Sequence, residues 1–442
     1  MRIDRIEVQN FKRFEQQTLD LHPRFTLLVG DNGAGKTSLL DALAVAAGVW
    51  LVEPPDSTLN NSRRYILPNE IRIIGKKEGD RTLFEERKPV KVTAVGQILG
   101  EEVSWCRQIP RGKRKTNNGE SKRALDIVAN VYRRVEANEE VLCPVIAYYG
   151  AGRAWLPSRE RSPKGKSNGP ARRWEAFYDC FEERIRLNDL QNWFNREVIA
   201  FANRSGSWRP GYEVVKKAIL RCVPGAGDLW YDGDRAEIVL EIEGETQPFS
   251  LLSAGQRMMV ALIADIAIKA VAQNAFLLPP DKLGSDDLPW PRVLRETPGL
   301  VLIDEVDVHL HPKWQRKVVE DLKETFPSIQ FVATTHSPQV IGEVPPDEIR
   351  LMSESGEITQ PRISKGVDSN WILDHVMTDA ESRDRDTRRL LEAIDTLLDE
   401  GELAAAEKKL LKARERMRGS DGELTRLESS LESLKMLGDE ND

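Results

Sequence analysis

Cysteine and histidine are scarce. Four cysteines (Cys106, Cys143, Cys180 and Cys222) and five histidines are spread through 442 residues. No two cysteines are near neighbours in sequence, so there is no CxxC pair and no disulfide framework. A reducing, cytoplasmic setting is therefore expected. Long apolar runs are missing too. Leu39–Val52 is interrupted by Asp41, and Met258–Pro280 by Asp265 and Lys269. Both suit buried helices better than membrane spans, and no membrane association is expected. The opening MRIDRIEVQNF is charged and strand-like and lacks the apolar centre of a signal peptide, so none is expected there. Nor is positive charge in excess. The 64 Lys and Arg face 71 Asp and Glu, a net charge of −7. That excludes a globally basic nucleic-acid binder but leaves room for a local basic patch.

What is present suits a folded chain. Apolar residues make up 40% and charged residues 31%, enough for a sizeable core and too balanced for a disordered protein. At roughly 100–200 residues per domain, the length allows two to four domains, or one large domain with insertions. Residues 2–8 alternate as a half-buried strand does. Phe25–Val29 and Val145–Tyr149 are short, continuous apolar runs, as are Leu300–Ile303 and the segment 330–333. Such runs suit strands covered on both faces. Segments 90–98 and 102–109 suggest a strand pair, and 236–242 a further strand. Helical composition marks 39–50, 124–139, 174–204, 211–222, 253–275 and 312–325. It also marks three C-terminal segments, 381–399, 402–417 and 421–436. Two basic, polar stretches, 111–123 and 159–173, are expected to be loops, as is the proline-rich 279–298.

One stretch carries specific chemistry. Gly30-Asp31-Asn32-Gly33-Ala34-Gly35-Lys36-Thr37 matches GxxxxGK[ST] between an apolar strand and a helix. Glycines let backbone N–H groups curl round a phosphate, and the helix N-terminus adds partial positive charge. Lys36 reaches the outer phosphates, and the Thr37 hydroxyl ligates magnesium. Three weaker patterns follow in order. Leu252-Ser253-Ala254-Gly255-Gln256-Arg257 opens a helix with Ser253 as N-cap; alone it is better explained as an ordinary capped helix. LVLIDE at 300–305 is a buried strand ending in Asp304 and Glu305. Asp304 stands where a magnesium carboxylate belongs, and Glu305 where a base could activate water; exposed strand-end acids explain them equally well. Thr334-Thr335-His336-Ser337 follows another apolar strand, and a lone histidine there is more often structural than catalytic. The force of the argument lies in the set, because four motifs occur in the required order on the required elements.

Together these motifs resemble the ABC-type ATPase heads of the RecF/SMC class. Walker A is GDNGAGKT, the signature LSAGQR, Walker B LVLIDE, and the switch histidine lies in TTHSP. IEVQNFKRF is similar to the opening strand and turn of the class. DEVDVHLHPKWQ, VIAYYGAGR and GVDSNWILDHVM resemble the compact RecF-like ATPases of bacterial antiphage defence, the Septu-type and retron-associated group. The resemblance implies an α/β fold: an ABC-ATPase head with a mixed, largely parallel sheet, an inserted, mostly helical region and a C-terminal helical segment. The expected divisions are 1–150 (Walker A lobe), 151–250 (insertion ending in a strand), 251–379 (lobe with signature, Walker B and switch histidine) and 380–442 (helices for partner docking or capping). It implies that ATP contacts Gly30, Asp31, Asn32, Gly33, Ala34, Gly35, Lys36, Thr37 and Ser38, with Lys12 and Arg13 approaching the nucleotide. Thr37 and Asp304 hold Mg2+, Glu305 activates water and His336 contacts the γ-phosphate. Ser253, Ala254, Gly255 and Gln256, with Asp307 of the D-loop, serve the nucleotide of a second copy, so a homodimer or higher homo-oligomer is implied.

The function this implies is an ATP-hydrolysing switch that dimerises on ATP and regulates a separate effector nuclease in antiviral defence. The alternative is a RecF-like DNA-repair ATPase that clamps DNA. No HNH pattern and no strand-borne acidic cluster of the TOPRIM kind is found in the sequence, so an HNH or TOPRIM partner would be a separate protein. The span from Gly30 to Ser253 is too short for a long coiled-coil arm. No clear Q-loop glutamine occurs; Tyr149-Gly150 takes its place by strand order, and Gln97 is a distant substitute. His309 and His311 suggest a metal site at first glance, but their position directly after Walker B favours the D-loop. The basic loops could meet nucleic-acid phosphates, although solvated surface explains them more simply. Ten tryptophans fit core packing, with one or two free to anchor a partner.

Overall fold

The computed structural model describes residues 1–79, 81–154, 173–278, 290–377, 385–417 and 422–439. Trp155, most of the basic stretch 159–173, residues 279–289 and the expected boundary at 379/380 lie outside the described residues. The chain forms two compact units, Met1–Ser369 and Asn370–Asp442.

The first unit opens with β1 (Arg2–Phe11), β2 (Phe14–Asp20), β3 (Phe25–Gly30) and α1 (Lys36–Ala47). A hairpin, β4 (Ile73–Glu78) and β5 (Arg81–Glu86), precedes the pair β6 (Val90–Ile98) and β7 (Glu101–Ile109). Then come α2 (Lys122–Glu136) and β8 (Val145–Tyr149). The inserted stretch supplies α3 (Leu187–Asn203), α4 (Pro210–Cys222) and a three-stranded antiparallel sheet of β9 (Ala226–Asp232), β10 (Glu237–Ile242) and β11 (Glu245–Pro248). The unit continues through α5 (Ala254–Gln273), α6 (Arg292–Glu296), β12 (Gly299–Ile303), α7 (Pro312–Gln315), α8 (Val318–Thr325), β13 (Ile329–Thr334), α9 (Pro338–Ile341), β14 (Ile349–Met352) and β15 (Ile358–Thr359).

Two sheets enclose α1. The larger has strand order β15-β14-β3-β13-β12-β8, parallel from β14 to β8. Strands β8, β12 and β13 are buried at every position, as their unbroken apolar runs require. The smaller sheet is antiparallel, in order β2-β1-β6-β7. Helix α1 is buried from Leu39 to Ala47, and its residues share one core with both sheets. That explains why LLDALAVAA has no polar face: a helix covered all round has no use for one. Its last carbonyls have no partner within the helix. Trp105 Nε1 donates to Ala46 O at 3.0 Å and Arg107 Nη1 to Val45 O at 2.6 Å, both from β7. Gln330 on β13 ties the sheets together, accepting from Ile3 N at 2.8 Å and donating to Ile3 O at 2.8 Å and His22 O at 3.0 Å.

The expected helix over 174–204 is the main departure. A single turn at Trp174–Phe177 is followed by irregular chain, and α3 starts only at Leu187. The exposed edge of β8 claims this chain: Tyr148 N donates to Cys180 O at 2.8 Å and Gly150 N to Glu183 O at 2.9 Å. Those tertiary bonds outweigh a weak helical propensity. The insertion also carries more strand than its composition suggests. Glu243 and Gly244, at φ 54° and 84°, form the tight positive-φ turn that joins β10 to β11.

The second unit contains α10 (Ser369–His375), which begins at its boundary, α11 (Arg385–Asp399), α12 (Leu403–Met417) and α13 (Gly422–Asp439). Leu391, Ile394 and Leu398 of α11 pack with Ala406, Leu410 and Ala413 of α12 and with Leu424, Leu427 and Leu431 of α13. The three C-terminal segments of helical composition thus share a small core of their own.

Gln330→Leu should lower the stability of the first unit by about 2–4 kcal/mol, because three backbone groups lose their partner in a buried place. Denaturant titration followed by tryptophan fluorescence checks this; a midpoint equal to wild type would contradict it.

Candidate active site

Parallel pairing brings the carboxyl ends of β3, β13, β12 and β8 side by side, the edge where open α/β sheets bind ligands. The Gly-rich loop follows β3, Thr334–Ser337 ends β13, Asp304–Glu305 follows β12, and Tyr149–Arg153 ends β8. The loop needs its glycines. Gly35 sits at φ 103°, and a Cβ there would lie 2.3 Å from the Phe14 ring and 2.9 Å from Arg13 Cδ. Gly33, at φ 88°, has open space where a Cβ would stand. Lys36 lies beneath, buried, its Nζ donating to Gly30 O at 2.7 Å and Asp31 O at 2.9 Å. Burial lowers its pKa, and Asp304, Asp31 and Glu305 oppose the shift. An anion above the loop would restore that lost stabilisation of the charge.

Asp304 joins the walls of the site. Its Oδ2 accepts from Thr37 Oγ1 at 2.9 Å, and its Oδ1 from Thr334 Oγ1 at 2.6 Å. A carboxylate and a hydroxyl already in contact are hard oxygen donors of the kind magnesium takes alongside phosphate oxygens, so the residues fit that ion. Thr334 Oγ1 also accepts from Glu305 N at 2.7 Å. Glu305 itself stands at φ 51°, a left-handed conformation that costs a non-glycine residue roughly 1–2 kcal/mol. Arg153 holds the other side. Its Nη1 donates to Asp304 O at 2.5 Å and Gly150 O at 3.1 Å, and its Nη2 to Glu305 O at 2.8 Å. Burial pulls the Arg153 pKa down to about 10, against the pull of Asp304, Asp307 and Glu305.

A second network surrounds His336. Thr335 Oγ1 bonds Asp307 Oδ1 and accepts from Ser337 N at 3.0 Å. Ser337 Oγ donates to Gln315 Oε1 at 2.7 Å, and Gln315 Nε2 donates to Leu310 O at 2.9 Å. His336, half-buried, lies between these anchors. The D-loop is thus bonded to the residues on either side of it. His311 caps α7 by accepting from Lys313 N at 3.3 Å.

The signature opens α5 as a capping box: Gln256 N donates to Ser253 Oγ at 3.2 Å and Ser253 N to Gln256 Oε1 at 2.8 Å. Ser253 and Ala254 are exposed, whereas Gly255 is buried against the D-loop. A Cβ on Gly255 would lie 2.5 Å from His309 O. Arg13 sits at the rim of the Gly-rich loop, donating to Glu354 O at 2.6 Å. Lys12 pairs with Asp41 on α1. Gln97 lies in the antiparallel sheet opposite Arg2, on a different sheet from these strand ends. Thr334 and Arg153 had no role in the sequence reading; the only signals were the threonine pair before His336 and the arginine closing YYGAGR.

The chain is similar to several known proteins. A family model described as "AAA domain" matches residues 5–197, and a second, described as "AAA domain, putative AbiEii toxin, Type IV TA system", matches residues 238–342. The "Retron Ec83 probable ATPase" of Escherichia coli is 23% identical across 86% of this chain and 77% of its own length. The "Retron Vc95 probable ATPase" of Vibrio cholerae is 23% identical across 80% of this chain and 74% of its own. The "Septu protein PtuA" of Bacillus mycoides is 25% identical across 80% of this chain and 41% of its own. This chain is a relative of the retron ATPases and of PtuA. Among solved structures, the SMC head domain from Thermotoga maritima aligns with a TM-score of 0.44 at 15% identity, over 82% of this chain and 100% of that one.

Lys36→Ala should weaken binding of a fluorescent ATP analogue about 100-fold, the loss of one well-placed buried charge. Equilibrium titration with circular dichroism as a fold control checks this; unchanged affinity would contradict it.

Proposed function

We propose that this protein is an ATP-hydrolysing switch that pairs two copies around ATP and controls a separate effector nuclease in antiviral defence. The observation that carries this reading is the disposition of the signature. Ser253 and Ala254 present an exposed helix start, while Gly255 is locked onto the D-loop, whose Asp307 is bonded to Thr335. A surface built this way can report the arrival of a second copy to the residues around His336. ATP held by one copy would bring the copies together by favouring the paired state, and hydrolysis would release them.

The roles follow from position. Residues 30–38 cradle the triphosphate, and Arg13 borders them. Thr37 and Asp304 would hold magnesium, which supplies charge neutralisation at the outer phosphate oxygens. Glu305, held by Thr334 and Arg153, accepts the proton of the attacking water. His336 contacts the γ-phosphate. The retron ATPases align over 80–86% of this chain, whereas RecF of Staphylococcus epidermidis aligns over 11%. That balance favours the defence reading over the DNA-clamp alternative. The exposed basic residues of 111–115 remain available to nucleic-acid phosphates.

Glu305→Gln should bind ATP, hydrolyse it at least about 100-fold more slowly, and accumulate as an ATP-dependent dimer. Multi-angle light scattering with and without Mg-ATP checks this. A mass that stays monomeric with ATP bound would contradict pairing.

A further inference from the structure

The end of β8 carries a device that neither the motifs nor the relatives' names assign. Past Ile303 the ladder between β12 and β8 continues for one bond, from Asp304 N to Tyr149 O at 2.7 Å. The next two carbonyls, of Asp304 and Glu305, have no strand partner there. Arg153 takes both, one through each guanidinium nitrogen. The side chain is only 6% exposed, and its Nε is buried with no hydrogen-bond partner. The turn that follows already supplies Glu305 O with one donor, Val308 N at 3.1 Å, so a buried guanidinium, costly to desolvate, is more than these carbonyls alone require. What the arginine adds is rigidity at one residue. Glu305 is in the left-handed region, with its N–H fixed by Thr334 Oγ1 at 2.7 Å and its carbonyl fixed by Arg153 at 2.8 Å. Both peptide groups flanking its Cα are therefore held, and the direction of its side chain is set.

We infer that Arg153 is a positioning residue for Glu305: a planar fork anchored on β8 that holds the general base in its strained backbone conformation. It follows shortly after Tyr149-Gly150, the pair that takes the Q-loop place by strand order, and acts on Glu305 through the backbone. Tyr149, four residues earlier, donates its hydroxyl to Asp265 of α5 at 2.6 Å. The same short segment therefore touches both the signature helix and the end of Walker B. The inference rests on Glu305 being the residue that activates water.

The test uses the full chain, with Arg153→Met, Arg153→Lys, Glu305→Gln and the double variant Arg153→Met/Glu305→Gln. Arg153→Met should lower kcat about 100-fold, the effect of a misplaced catalytic group, with KM, ATP-analogue affinity and ATP-dependent dimer mass unchanged. Arg153→Lys should lose less, since a lysine keeps a charged donor for one carbonyl, but should not restore the wild-type kcat, since it offers no planar fork for two. In the Glu305→Gln background, Arg153→Met should slow the residual rate no further. An equal loss in both backgrounds, or ATP affinity falling in step with kcat, makes Arg153 a structural residue and overturns the inference. If Arg153→Met does not fold, Arg153→Lys decides, and a wild-type kcat there overturns it. If Glu305→Gln hydrolyses at the wild-type rate, the reading of Glu305 fails first and the inference falls with it; that outcome shows without any Arg153 variant.

Discussion

The carboxylate of Asp304 is the joint on which the site depends. One oxygen meets Thr37 at the start of α1 and the other meets Thr334 at the end of β13. Those contacts exist only because β3, β13 and β12 are parallel neighbours in register, with Ile303 beside Ala333 and Thr334 beside Leu28. A register slip in a sheet turns every side chain to the other face. Here it would separate the hydroxyl, the carboxylate and the glycine loop at once. The fully buried faces of these strands make such a slip expensive, so the core sets the geometry of the chemistry.

The second constraint is the sandwiching of α1. Its first turn continues the Gly-rich loop, and its last turn is bonded by Trp105 and Arg107 of the antiparallel sheet. The loop is thus mounted on a helix fixed at its far end and covered on all sides. Lys12, Asp41, Arg64 and Glu70 form a cluster of paired charges along the same helix. Burial raises the Asp41 pKa, and Lys12 counteracts it. These groups stabilise the mount as a set, so removing one would leave an uncompensated buried charge.

Much of this was legible from residue order. Three of the four short motifs follow apolar strands and announced the parallel edge, and unbroken runs such as VIAYY and LVLI named its strands. What escaped was information held in tertiary pairing. The segment after Phe177 has helical composition, yet the free edge of β8 binds its carbonyls. Arg153 stood in plain view at the end of YYGAGR, but nothing in a linear pattern shows that its guanidinium reaches carbonyls about 150 residues away. Thr334 was hidden in the same way: its neighbour His336 carried the recognisable motif, while the threonine itself bridges Asp304 and the Glu305 amide. The C-terminal composition revealed three helices but not whether they dock a partner; the buried apolar residues of these helices pack against one another within their own unit.

The central claim is that one copy holds half of each site, the glycine cradle, and lends its exposed signature to the other. Mixing two inactive proteins tests it directly. Lys36→Ala spoils the cradle and Ser253→Arg spoils the signature, and each alone should be inactive in phosphate release. In a mixed pair, the intact cradle of one copy faces the intact signature of the other, so the mixture should regain hydrolysis that neither protein shows separately. Mixed pairs that form, as shown by co-capture of two differently tagged copies, yet release no phosphate would contradict the account.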